Sequence, residues 1–178
     1  MFKPFKASDK LLPYVLMHYT INWTNINNKI SELCLPSGTC FIVFQLKGNC
    51  SIKFKNTQLT LPQFYVVGQQ TASYYIESCD KDISLMGVIL KPTALFHLFN
   101  SINLQSLTNN VLPLKSVFGN HLVTFNEEFL TCDSIEHRIK LIEKLLLDCI
   151  ETRQIKHTII DYAVELINQK KAVLLLKI

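Results

Sequence analysis

Cys40-Phe-Ile-Val-Phe-Gln-Leu46, Cys50-Ser-Ile-Lys-Phe-Lys55 and Ile83-Ser-Leu-Met-Gly-Val-Ile-Leu90 decide the fold between them. The first follows the turn formers Pro36-Ser37-Gly38 and is almost continuously apolar, which predicts a strand covered on both faces. The second alternates. Cys50, Ile52 and Phe54 point one way and Ser51, Lys53 and Lys55 the other, the pattern of a strand with one face in water. Residues 58–61, 64–67 and 72–77 are rich in β-branched and aromatic side chains and are separated by turn formers, so they read as further strands. Asp80-Lys81-Asp82 then turns the chain into residues 83–90. About six strands at this spacing, with no helical crossover between them, must pair antiparallel. Burying both apolar faces predicts a sandwich or small barrel, a shell that can enclose one small ligand.

After Lys91-Pro92 the apolar period changes from two to about 3.6. Thr93 is expected to cap a short helix carrying Leu95, Phe96 and Phe99, and a second helix fits residues 120–130. Asp133, with Glu136 three residues on, predicts the start of a third helix. Along it Ile135, Ile139, Ile142, Leu146 and Cys149 recur at spacings of four and three, and Leu141, Leu145 and Ile150 widen the stripe. A stripe this broad either lies wholly inside the domain or covers the barrel on one side and a second subunit on the other. Residues 151–157 form a polar break, and a last helix begins at Thr158 with Asp161 in its first turn. Residues 170–178 are apolar with no Gly or Pro to stop a helix. The expectation is an α+β fold: an antiparallel β-barrel or sandwich over about 20–91, helices over about 93–150, and a C-terminal helical segment at 158–178.

With 178 residues, 48% of them hydrophobic and 18% charged, the chain suits one domain with a short appendage and is not a disordered polymer. Its net charge of +4 comes from lysines and only two arginines, Arg138 and Arg153. Base edges and phosphates are read best by the guanidinium fork, so the chain is not expected to bind nucleic acid by itself. The longest apolar run, residues 85–90, is far too short to span a bilayer. The start, Met1-Phe-Lys-Pro-Phe-Lys6, runs into Asp9 and Lys10 without a signal core, which predicts a cytoplasmic location and no membrane partner. Cys34, Cys40, Cys50, Cys79, Cys132 and Cys149 form no C-x-x-C pair and read as buried thiols. The sequons at Asn22 and Asn49 then read as chance matches.

No G-x-S-x-G elbow or glycine-rich phosphate loop is present, and the chain has only five glycines. The five histidines, His18, His97, His121, His137 and His157, are nowhere closer than sixteen residues, and none lies within 34–90. A metal-dependent barrel enzyme is therefore not expected, and neither a catalytic residue nor a cofactor is assigned. Gln45, Tyr65, Gln69, Gln70, Tyr74, Tyr75 and Ser84 are set among apolar neighbours. This suits the wall of a ligand pocket and equally suits a barrel rim. The pocket residues expected are Phe44, Gln69, Tyr74, Tyr75 and Met86; for a dimer contact they are Ile139, Ile142, Leu146 and Cys149.

Several of these features recur in a familiar order. Pro4, then Leu12-Pro-Tyr-Val15 with Tyr19 behind it, is followed by Pro36-x-Gly38 opening an apolar strand. Val67-Gly-Gln-Gln-Thr71 comes next, and Gly87-Val-Ile-Leu-Lys-Pro92 leads into Ala94-Leu-Phe-x-Leu-Phe99. Over about residues 4–150 this order resembles the N-terminal domain of arabinose-regulator (AraC) type transcription factors, especially a Bacteroidetes-rich branch. The resemblance implies a cupin-like barrel that senses a small-molecule effector, with helices that mediate homodimerisation. It also implies a following DNA-binding domain of two helix-turn-helix units. Thr158 to Lys171 is similar to that domain's opening helix, but Ala172 stands where a glycine is usual and the chain stops six residues later. The expectation is a truncated bacterial regulator, not an enzyme, that touches DNA only through the missing part. Two alternatives stay open: a stand-alone cupin-like small-molecule-binding protein or enzyme, and a dimerisation module with a filled barrel.

Overall fold

The computed structural model describes residues 1–24, 29–54, 57–99, 104–119, 122–151 and 158–169. The strands are β1 (Phe2–Phe5), β2 (Val15–Thr24), β3 (Ile30–Cys34), β4 (Cys40–Lys47), β5 (Ser51–Phe54), β6 (Thr57–Thr60), β7 (Phe64–Val67), β8 (Tyr74–Ser78), β9 (Asp82–Leu90) and β10 (Val111–Pro113). The helices are α1 (Ala94–Leu98), α2 (Leu104–Leu107), α3 (Lys115–Phe118), α4 (Leu122–Thr131), α5 (Ile135–Glu151) and α6 (Ile159–Gln169). The fold is α+β, an antiparallel β-sandwich followed by helices.

One sheet has the order β1-β2-β9-β4-β7-β10 and the other β3-β8-β5-β6, and every pairing is antiparallel. The larger sheet is the middle of three layers, which is why β4 and β9 are apolar almost throughout. Cys40, Ile42, Phe44, Met86, Val88 and Leu90 join a core shared with the helices. Phe41, Val43, Ile83 and Leu85 belong to a second core, shared with the smaller sheet. Through the middle of the sheet the cross-strand register keeps residue parity constant: Phe41 pairs with Val67 and Ile89, Val43 with Tyr65 and Gly87, and Tyr19 with Gly87. Between the irregularities at Val15/Met17 in β2 and Gln45/Lys47 in β4, odd-numbered side chains of β2, β4, β7 and β9 therefore face the smaller sheet and even-numbered ones the helices, whereas Val15, before the β2 bulge, joins the helix-side core.

The strand layer begins earlier than residue 20. Pro4 in β1 is accommodated because that strand lies at the sheet edge, where a missing N–H costs no ladder bond. The cap of α5 also differs from expectation: Ser134, not Asp133, accepts the His137 N–H on its Oγ at 3.2 Å, and the Ser134 carbonyl accepts from the Arg138 N–H. Thr93 makes no capping bond to α1, since its own backbone is already helical. Thr158 does cap α6. Asp161 Oδ2 accepts from the Thr158 N–H at 2.7 Å, and Thr158 Oγ1 accepts from the Asp161 N–H at 3.4 Å. Most of the polar break at 151–157, including His157, lies outside the described residues, as do Asn120, His121 and the apolar end at 170–178.

Candidate ligand-binding cavity

A cavity of about 240 Å³ lies between the two sheets. The larger sheet supplies Tyr19, Ile21 and Trp23 from β2, Phe41 and Val43 from β4, Tyr65 and Val67 from β7, and Leu85 and Ile89 from β9. The smaller sheet supplies Ile52, Tyr74 and Ile76, with Cys34 and Gln70 beside them. Phe2, Leu35 and Ser37 also line it and are exposed, so they mark its mouth. Two residues shape the wall. Gly87 sits directly opposite Tyr19, and a Cβ there would lie 2.5 Å from the Tyr19 hydroxyl and 2.7 Å from the Ile42 carbonyl. The absent side chain leaves the tyrosine ring room to lie across the sheet, where it stacks on Phe2 at 5.8 Å.

Among the described residues the wall carries hydrogen-bonding groups but no charged side chain. Tyr19, Tyr65 and Tyr74 are buried, and burial above all pushes each phenol above its ordinary titration range. Their hydroxyls are thus neutral donors and acceptors at physiological pH, and Tyr74 is hydrogen-bonded to the Cys34 thiol, which burial also pushes up. Among the described residues no His, Asp or Glu lines the cavity. Among the described residues no three His, Cys, Asp or Glu side chains converge, so the metal ion that a cupin-like barrel can hold finds no donor set in this wall.

Parity separates the residues expected in the pocket. Tyr74 lines the cavity. Phe44 and Met86, both even-numbered, are fully buried on the opposite face of the sheet and do not reach it. Phe44 instead packs against Phe129 at 4.7 Å and Phe64 at 5.2 Å, in a cluster that Phe125 completes. Tyr75 points to the outside of the smaller sheet, 44% exposed. Gln69 is exposed and donates to the Gly38 carbonyl at 3.2 Å, while its neighbour Gln70 takes the place in the wall. Gln45 is structural: its amide donates to the Pro62 carbonyl at 2.7 Å and its carbonyl accepts from the Cys50 N–H at 2.8 Å. Tyr19, Ile21 and Trp23 escaped sequence reasoning, although Tyr19-Thr-Ile-Asn-Trp-Thr24 alternates as a half-buried strand should.

The residues expected at a dimer contact lie on α5. Ile142 and Leu146 are fully buried in the domain's own core, beneath the helix, and are not available to a second subunit. Ile139 and Cys149 pack at the margin of that core, partly exposed. The same helical layer holds two buried histidine contacts. His18 Nε2, on the helix-facing side of β2, lies 3.1 Å from Glu143 Oε1 of α5, which also accepts the Ser8 N–H at 2.7 Å. His97 Nε2 of α1 donates to Asp161 Oδ1 of α6 at 2.7 Å.

The domain-of-unknown-function model DUF6597 matches residues 3–113, which hold strands β2 to β10 and all of β1 but Phe2. No curated protein matches the chain. Among solved structures, the cupin-2 domain of an XRE family transcriptional regulator from Enterobacter cloacae is similar at 16% identity and a TM-score of 0.39, over 50% of this chain and 93% of that one. An HTH_3 family transcriptional regulator from Vibrio cholerae is similar at 12% identity and a TM-score of 0.39, over 51% of each chain. A predicted oxalate decarboxylase from Thermotoga maritima is similar at 11% identity and a TM-score of 0.38, over 50% of this chain and 77% of that one. Among the described residues no helix is long and apolar enough to cross a membrane.

Proposed function

We propose that this chain, which belongs to the DUF6597 family, is the ligand-sensing and dimerisation domain of an arabinose-regulator type transcription regulator. It binds a small-molecule effector without transforming it, and DNA contact belongs to a domain beyond this chain. The observation that carries the reading is the position of the cavity. Strand β2 turns Tyr19 into the cavity and, one residue earlier, His18 onto Glu143 of α5. Occupancy that moves the Tyr19 ring shifts a strand whose other face holds the helical layer. The order of motifs over about residues 4–150 supports the same reading. Coupling between an effector and an output element is usually worth about 1–3 kcal/mol, within reach of one strand and one buried contact.

Homodimerisation is proposed on the helical layer. Ile139 and Cys149 keep partial exposure there, and α6 leaves Ile159, Ile160 and Ile167 open. The test is native mass spectrometry of freshly purified protein, followed by thermal melting against a metabolite library. A dimeric mass and a ligand-dependent rise in melting temperature are expected. A monomer at every concentration overturns the dimer, and turnover of any bound compound overturns the sensor in favour of a stand-alone cupin-like enzyme.

A further inference from the structure

The cavity also restricts what can occupy it, an inference that rests on reading it as a ligand site. We propose that its ligand is a neutral, mainly apolar molecule of one aromatic ring with a fused second ring or a short substituent, carrying one or two hydrogen-bonding groups. Three observations converge on this class.

The first is size. Cavities of roughly 150 Å³ lined by apolar side chains take up benzene, and the volume here is about 240 Å³. That is room for a ring and a little more.

The second is charge. Among the described residues no Lys, Arg, His, Asp or Glu faces the cavity, and Cys34 and the tyrosines are held in their neutral forms by burial. A carboxylate, phosphate or ammonium group would be stripped of water with no counter-charge, a penalty that excludes charged ligands.

The third is the count of polar partners. Beyond the phenols, the described lining residues offer as polar side-chain groups Cys34, Ser37, Gln70 and the Trp23 indole N–H; Ser37 stands at the mouth and the Gln70 amide already donates to the Gly68 carbonyl. A sugar brings four or five hydroxyls, most of which would lose water without replacement, and each unmet one weakens binding. An aromatic ring with a single hydroxyl or N–H is matched by Tyr19, Phe41, Tyr65 and Trp23 for its faces and edges and by one phenol for its polar group.

Trp23 is the chain's one tryptophan and stands in the wall, so its indole N–H gives a single reporter signal in a proton–nitrogen correlation spectrum. The native protein is titrated with indole, 4-ethylphenol, benzoate and L-arabinose, with calorimetry in parallel. Indole and 4-ethylphenol are expected to shift the Trp23 signal and saturate, and benzoate and arabinose to leave it in place. Tyr74→Phe should weaken 4-ethylphenol about tenfold and indole less, the loss of one buried hydrogen bond. Ile76→Trp, which fills the space from the smaller sheet, should abolish both. The native titration decides the matter even if a variant does not fold. A saturating shift with arabinose or benzoate and none with the neutral aromatics overturns the ligand class and leaves the cavity a binding site. No shift with any of the four overturns the class and the site together.

Discussion

His97 of α1 and Asp161 of α6 meet at 2.7 Å, Nε2 to Oδ1, with the side chains 5% and 9% exposed. Asp161 is the hub of this contact. Burial opposes its ionisation, but hydrogen bonds from Thr93, His97 and Thr158 outweigh that and hold its carboxyl well below the usual range. Tyr14 closes the contact from the other side, its ring edge-on to His97 at 5.7 Å. One carboxylate thus both starts α6 and docks it. Much of the rest of α6 is uncovered: Ile159, Ile160, Tyr162 and Ile167 are all exposed.

It follows that the docking of α6 leans on the polar contacts that Asp161 makes with His97 and Thr93. Asp161→Ala should cost about 2–3 kcal/mol of local docking free energy, the range for hydrogen bonds to a buried charge. Hydrogen exchange of the α6 amides should rise toward that of an open helix, while strands β4 and β9 keep their protection. Thr158→Ala is the control, since it removes the hydroxyl of the cap and leaves the bond to His97. If Asp161→Ala leaves α6 exchange unchanged, apolar contacts hold the helix.

Gly87→Ala tests the wall of the cavity. The added methyl would press on the Tyr19 ring and the Ile42 carbonyl, and neither the ring against Phe2 nor a central-strand carbonyl gives way cheaply. An overpacked site of this kind typically costs about 1–3 kcal/mol. Urea denaturation should show that loss with an unchanged m-value, because the same surface is buried. Adding Tyr19→Ala in the same chain should recover most of the steric part, and failure to recover would place the strain on Ile42.

Acid should weaken the contact between β2 and α5. Burial lowers the His18 pKa below the ordinary value near 6.5, and the Glu143 carboxylate only partly offsets it. The folded pKa lies below the unfolded one, so the unfolded chain takes up the proton first as pH falls. Stability is complete above about pH 7 and declines through pH 6.5 toward the folded pKa. Asp161 is also depressed, but its contribution is lost only as pH falls below about 4, in a separate window. The melting temperature of His18→Gln should vary less between pH 7 and 5 than that of the native chain. Parallel curves would mean that His18 does not set the slope.

Much of the architecture was legible because parity and period are local. Cys40 to Leu46 announces a strand covered on both faces, Ile83 to Leu90 a further strand, and the change of period after Pro92 the helices. Which face meets which layer was not legible, since alternation alone does not say whether odd or even positions turn toward the helices. The chemistry of Phe44 and Met86 fits either side of the sheet, and the structure puts both on the helix side. Tyr74 and Gln70 carry a stronger signal, polar groups amid an apolar wall. The width of the α5 stripe leaves its partner open in the sequence; in the structure Ile142, Leu145 and Leu146 are buried in the core that also holds Phe44, Phe64, Phe125 and Phe129, contacts that no single stretch of sequence displays, while Ile139 and Cys149 stay at its margin.

The burial of Ile142 and Leu146 changes what a mutation there reports. Both side chains are closed off beneath α5 in the core that also holds Phe129 and Val88. Leu146→Ala should cost about 2–5 kcal/mol through lost contacts and a residual cavity, the usual range for a buried leucine. Because the loss occurs inside one chain, it should be the same at low and high protein concentration. A subunit contact behaves differently, since its contribution grows with concentration through mass action. Melting curves of the native chain and Leu146→Ala across a hundredfold range of concentration separate the two. A constant gap confirms a core role for α5, whereas a gap that closes on dilution would mean that a second subunit covers Leu146.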